Sequence, residues 1–203
     1  STCRSVQYDY TPLVAADDGS LFWNQARTET EYFKGTAIAL TYRIYQPRMY
    51  QTIHCVSTGA AYNDSANLVT TTYYFTNGVN NGSIQSISNP DGTMSIYDYG
   101  INIAGTQQTN IVYTGQPNSG NTAIVDGTKT VTVTGSLNQM LSQVTIDIAS
   151  GLTLSNDTYS YLDAYQRSYK VTHLNGTAET FNYACCGLDN MVDQDVLTTA
   201  YMY

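Results

Sequence analysis

Residues 128–134 read Thr-Lys-Thr-Val-Thr-Val-Thr. As a strand, this puts Thr128, Thr130, Thr132 and Thr134 on one face and Lys129, Val131 and Val133 on the other. Residues 143–148 alternate in the same way, with Val144, Ile146 and Ile148 facing together. Turn dipeptides punctuate such segments: Asp18-Gly19, Asn77-Gly78, Asn81-Gly82, Asp91-Gly92, Asp126-Gly127 and Asn175-Gly176. Asp-Gly and Asn-Gly supply the positive φ of tight turns, so each is expected to join two antiparallel strands. Between the two alternating runs, 135–142 predicts a helical turn or a broad connection. Residues 20–50 predict a hairpin around Lys34-Gly35. A helix over 24–33 is disfavoured by Thr28 and Thr30. Residues 100–124, with their Gly, Asn, Gln and Pro117, predict a loop-rich insertion.

The pattern recurs. Openings at Thr158–Tyr161, Thr180–Tyr183 and Thr198–Tyr203 end in tyrosines 22 and 20 residues apart, and an earlier unit runs from Thr71 to Tyr99. Each unit is strand, turn, strand, turn. A lone hairpin buries too little apolar area to be stable, so successive units are expected to pair edge to edge. The fold class that follows is all-β: an antiparallel hairpin-repeat sheet, curled or shell-like, with little or no helix. The chain reads as a single unit over 1–203. Residues 1–66 are divergent strands, 67–99 and 158–203 are the repeats, and 100–157 are the loop-rich insertion and further strands.

Composition sharpens this picture. Only 12% of residues are charged, against roughly 25% in ordinary globular chains, so the polar surface must come from Thr, Ser, Asn and Gln. Nineteen tyrosines stand against four phenylalanines, a bias suited to thin sheets, because tyrosine buries a ring while its hydroxyl stays wet. A net charge of −8 leaves no basic stripe for phosphates, which argues against nucleic acid as a partner and against anionic membrane surfaces. No stretch has the roughly 18 apolar residues that suggest a membrane-spanning helix, so no membrane insertion is expected. Low lysine content and four cysteines outside any zinc spacing fit an extracellular or cell-surface setting. Asn63, Asn81, Asn156 and Asn175 begin Asn-x-Ser/Thr triplets, at a frequency this composition produces by chance.

Three stretches carry a resemblance: Tyr97-Asp98-Tyr99-Gly100, Tyr161-Leu-Asp163 through Arg167, and Tyr183 through Gly187-Leu188. With the turn Asn89-Pro-Asp-Gly-Thr93, they resemble the RHS or tyrosine-aspartate (YD) repeat family over roughly the last two-thirds of the chain, with a gap at about 100–157. Ala184 stands where that pattern has aspartate, Gln166 where it has glycine, and Asp195-Val196 where it has a turn glycine. The resemblance implies a long curling sheet that encloses a toxin segment in some members and forms surface adhesion modules in others. The Asp-Pro self-cleavage motif of toxin-carrying members is absent, since the prolines at 12, 47, 90 and 117 follow Thr, Gln, Asn and Gln.

Chemistry-bearing residues are sparse. His54 and His173 both fall in strand-like sequence, and no serine sits in a nucleophile-elbow pattern, so no catalytic site and no enzyme is expected. Asp17, Asp18, Asp189, Asp193 and Asp195 match no calcium-loop spacing and read as turn formers, so neither metal nor cofactor is expected. Cys185 and Cys186 are adjacent and should point to opposite faces. Buried free thiols, a bridge to Cys3 or Cys55, and a bond to another subunit all remain open. Tyr8, Tyr10, Trp23, Tyr73, Tyr201 and Tyr203 could stack on sugars, though cross-strand packing is the plainer reading.

The expectation is a non-catalytic extracellular structural protein, an RHS-like β-array acting as scaffold, shell segment or surface adhesin. Its partners would be copies of itself or the remainder of a longer array, with surface glycans as a further class. Residues 6–10 read like the tail of a hairpin and 201–203 like half of one. Tyr8, Tyr10, Tyr201 and Tyr203 are therefore expected at assembly edges, either of a fragment or of a self-assembling fibre subunit. A carbohydrate-binding β-sandwich is the alternative from another class.

Overall fold

A computed structural model describes residues 3–19, 22–102, 104–161, 167–185 and 187–201. Among them every regular element is a strand and none is a helix. The all-β antiparallel expectation therefore stands, as an open sheet in which strand follows strand in chain order. The chain divides into two compact units, 1–96 and 97–203.

The first unit contains β1 (Arg4–Asp9), β2 (Thr28–Phe33), β3 (Thr36–Gln46), β4 (Met49–His54), β5 (Leu68–Tyr74), β6 (Ile84–Ser88) and the start of β7 (Met94–Ile101). The Lys34-Gly35 turn forms as expected. Both residues take positive φ, at 51° and 81°, matching the twist of the flanking β2 and β3. Asp18-Gly19 closes no hairpin but lies within the long 10–27 connection. Asn77-Gly78 and Asn81-Gly82 share one connection between β5 and β6.

Register assigns the faces of this unit. Ile44 lies opposite Gln51, Gln51 opposite Thr71, Thr71 opposite Ser88, and Ser88 opposite Met94. That row shares a face with Leu40 and Ile53, and Leu40, Ile44, Ile53, Thr71 and Met94 are all buried. The 55–67 loop covers it. Buried Asn67 holds the loop, donating to the carbonyls of Ala61 at 2.8 Å and Tyr62 at 3.3 Å and accepting from Val56 N–H at 3.1 Å. The Tyr42 hydroxyl donates to the Ala60 carbonyl at 3.2 Å. The opposite face carries Tyr8, Glu29, Arg43, Tyr45 and Tyr50, and the 10–27 connection reaches it.

The second unit contains the rest of β7, then β8 (Gln107–Pro117), β9 (Ile124–Gly135), β10 (Met140–Asp147), β11 (Thr153–Tyr161), β12 (Ser168–Thr172), β13 (Ala178–Tyr183), β14 (Leu188–Val192) and β15 (Thr198–Ala200). The threonine face of 128–134 is as expected. Thr130 pairs with Thr145 and Thr132 with Gln143, while Val131 pairs with Ile111 and Val144. Two expectations fail here. Residues 107–117, read as part of a loop-rich insertion, form the 11-residue strand β8. Asp126-Gly127 is no turn either. It lies inside β9, where Gly127 pairs directly with Gly115. A Cβ on Gly115 would fall 2.1 Å from the Asp126 carbonyl oxygen, and one on Gly127 2.1 Å from that of Thr114. The two glycines let the backbones approach, and the turn falls instead between Asn118 and Ala123. Residues 135–142 hold a tight turn between β9 and β10 rather than a helical one, with Asn138 at positive φ.

Three hairpin turns, 89–93, 173–177 and 193–197, share one construction with the 135–139 turn between β9 and β10. In each, the first residue's N–H donates to the fifth residue's carbonyl, and the fourth's N–H donates back to the first's carbonyl. The fourth residue takes positive φ: Gly92 at 83°, Gly176 at 83° and Val196 at 65°. In the first two, Thr93 and Thr177 donate through N–H and hydroxyl to Asp91 and Asn175. In the third, Leu197 lacks a hydroxyl, and Asp193 accepts from the N–H groups of Asp195 and Leu197 at 2.9 and 2.8 Å.

Burial is shallow. The chain exposes 12626 Å² for a mass of 22.3 kDa. A compact monomer of that mass exposes about 9,400 Å², and two separate compact bodies of half the mass about 11,300 Å². The excess is what sheets with thin cover produce, whatever the arrangement of the two units.

Candidate functional site

A buried polar cluster lies in the first unit, around Arg27. Its side chain is 1% exposed. Nε donates to both oxygens of buried Asp17, at 2.9 and 3.0 Å. Nη2 lies 2.8 Å from Asp17 Oδ1 as a charge contact rather than an aligned hydrogen bond. Nη1 donates to the carbonyls of Phe22 at 2.7 Å and Gln25 at 2.5 Å. The guanidinium sits over the Tyr45 ring, 4.6 Å from its centre. Desolvating a charge is costly unless partners surround it, and here carboxylate, carbonyls and a π face all converge on one side chain. The result is a clamp that fixes the 10–27 connection. An Asp ten residues before an Arg forms no motif by which sequence could find it.

Tyr45 also stacks on Phe22 and packs against Tyr50, with ring centres 4.9 Å apart in each case. Burial first, then the neighbouring Tyr50 hydroxyl, push the Tyr45 phenol up to about 12. Tyr45 and Tyr50 line two clefts. One, of about 390 Å³, is completed by Tyr8, Tyr10, Glu29 and Arg43, with Asn24 and Gln25 from the clamped connection. The other, of about 520 Å³, is more apolar and includes Pro47, Met49, Tyr74 and Phe75. At the first, Arg43 Nη1 lies 2.8 Å from Glu29 Oε2, a half-buried pair.

Of the sequence-predicted residues, Tyr8 and Tyr10 line the first cleft, and the others described fall elsewhere. Tyr8 lies in β1 and is 51% exposed, Tyr10 just beyond it is 52% exposed, and Tyr201 is 40% exposed. Tyr201 N–H donates to the Asp189 carbonyl at 2.8 Å, continuing the β14–β15 pairing. Tyr203 and Cys186 lie outside the described residues. Cys55 is a half-buried free thiol just after β4, and burial, with a smaller contribution from Asp64, raises its pKa. Cys3 and Cys185 are exposed, so a buried thiol at 185 is excluded. His54 ends β4, exposed, with Nδ1 3.2 Å from the Thr41 hydroxyl. His173 falls in the turn after β12 rather than in a strand. Its Nδ1 lies 2.8 Å from Asp157 and its Nε2 3.9 Å from Glu179, bridging carboxylates of β11 and β13.

Neither a protein-family model nor a curated protein matches the chain.

Proposed function

We propose that this chain is a non-catalytic structural protein of the cell exterior or surface, an RHS-like β-array whose strands are stabilised by their neighbours along the sheet. The observation that supports this reading most is the chain-order topology with shallow burial. Such an array gains stability by adding strands rather than by closing a deep core. Removing residues 188–203 tests it. An array keeps the rest of the second unit folded, with circular dichroism and amide protection of β8–β13 retained. Collapse of that unit would overturn the neighbour-stabilised reading.

A second reading is favoured by β1. All six of its residues are exposed, Val6 and Tyr8 among them, and it pairs on one side with β2. A strand edge of this kind is a template for another strand. In this reading, copies of the chain join through terminal strands into filaments. Negative-stain electron microscopy with sizing of the 203-residue chain decides between outcomes. Filaments support it, and a discrete monomer across the concentration range removes it.

A further inference from the structure

We propose that the smaller tyrosine-lined cleft of the first unit binds a neutral sugar ring. Four tyrosines meet there from three strands and a connection: Tyr8, Tyr10, Tyr45 and Tyr50. The exposure of Tyr8 and Tyr10 leaves ring surface open to a ligand. Aromatic rings with accessible surface attract either cations or the apolar C–H faces of sugars, and charge in the cleft discriminates between the two.

The charged side chains lining the cleft are Glu29 and Arg43, and they pair with each other at 2.8 Å. A site for a quaternary ammonium would leave the carboxylate for the ligand, and a site for an anion would leave the guanidinium. Mutual pairing cancels both, so the cleft offers aromatic faces and hydrogen-bonding groups with no net charge. Glu29 retains acceptor capacity, Arg43 retains donors, and Asn24 and Gln25 carry amides that do both. That combination suits vicinal hydroxyls around an apolar ring face. The raised Tyr45 phenol stays protonated at neutral pH and remains a donor.

The cleft is also pre-formed. Asn24 and Gln25 belong to the connection that buried Arg27 holds through the Gln25 and Phe22 carbonyls. A wall already fixed costs less entropy to order on binding. Its volume of about 390 Å³ lies in the range of small-molecule sites.

The test is a titration of the full chain with four uncharged tetrasaccharides: cellotetraose, maltotetraose, mannotetraose and chitotetraose. Tetramethylammonium chloride and a sulfated disaccharide serve as charged controls. The readout is chemical-shift change at Tyr8, Tyr10, Asn24 and Tyr50 amides. At least one tetrasaccharide is expected to bind at millimolar concentration with shifts confined to this cleft. Tyr10→Ala, at an exposed position outside any strand, is expected to weaken binding about tenfold through loss of one stacking face. Asn24→Ala is expected to weaken it severalfold with amide spectra otherwise unchanged. No shift with any of the four sugars, binding insensitive to both variants, or preference for either charged control overturns the assignment.

Discussion

Replacing Val196 with glycine should tighten the last hairpin of the second unit. Val196 occupies the fourth position of the 193–197 turn with φ 65°, where the turns at 89–93 and 173–177 carry Gly92 and Gly176 at 83°. A β-branched side chain in the left-handed region crowds its own backbone, at a cost of about 1–2 kcal/mol. The side chain is 79% exposed, so deleting it forfeits little burial. Glycine gives back about 0.5–1 kcal/mol through the larger freedom of the unfolded chain. The net expectation is a gain of roughly 0.5–1 kcal/mol in the stability of the β14–β15 hairpin. Because this hairpin lies at the end of the described sheet, the gain belongs to local opening rather than to global unfolding. Hydrogen exchange is therefore the assay. Amides of β15 that pair with β14 should exchange about two- to fivefold more slowly in Val196→Gly, with β8–β13 unchanged. The reciprocal control is Gly176→Val. A Cβ there meets nothing within 4 Å, so φ alone sets the cost, and β12–β13 amides should exchange faster. Unchanged or faster exchange at β15 in Val196→Gly would show that backbone strain is not what limits this turn.

Gly127→Ala should be far more damaging than an ordinary surface substitution, by about 2–4 kcal/mol, because its Cβ would meet the Thr114 carbonyl oxygen at 2.1 Å. Thermal unfolding monitored by circular dichroism checks it. Arg27→Met should destabilise the first unit by about 3–5 kcal/mol, since Asp17 is left buried without its charge partner. The double variant Arg27→Met with Asp17→Leu should recover part of that loss, which urea titration of both variants measures. At alkaline pH the Tyr45 phenol matters. Its folded value of about 12 lies above the unfolded value of 10.0, so unfolded chains lose this proton first. Its contribution is present in full below pH 10.0 and is lost as pH rises toward about 12. Urea midpoints of wild type should fall across that window, and Tyr45→Phe should flatten part of the fall.

Alternation and turn chemistry act locally, which is why so much of the sheet was legible in the chain. The threonine face of β9, the Lys34-Gly35 hairpin and the shared turns at 89–93 and 173–177 all follow from side-chain period and positive φ within a few residues. Val196 was recognisable from sequence as standing where a turn glycine belongs, and the structure gives it that conformation. Local signals also misled. Asp126-Gly127 has turn chemistry, but a glycine on the neighbouring strand, Gly115, makes it a mid-strand contact. The Gly, Asn and Gln of 100–124 suggested loops, but 107–117 pairs along the whole length of β9, whose valines supply the apolar partners.

Pairing across long separations was decided only by tertiary structure. Asp17 reads from sequence as a turn former, and its pairing with Arg27, whose guanidinium sits over the Tyr45 ring, makes the two the clamp of the first unit. The tyrosines of the cleft come from positions 8, 10, 45 and 50. The shared face of Tyr8, Tyr45 and Tyr50 follows from three successive strand registers, β1 on β2, β2 on β3 and β3 on β4, and a shift of one residue in either of the first two would send Tyr8 to the other side. Local sequence determined that this chain makes strands and where most of them turn. Which charges are buried, and which tyrosines meet, depended on registers between strands that no single segment encodes.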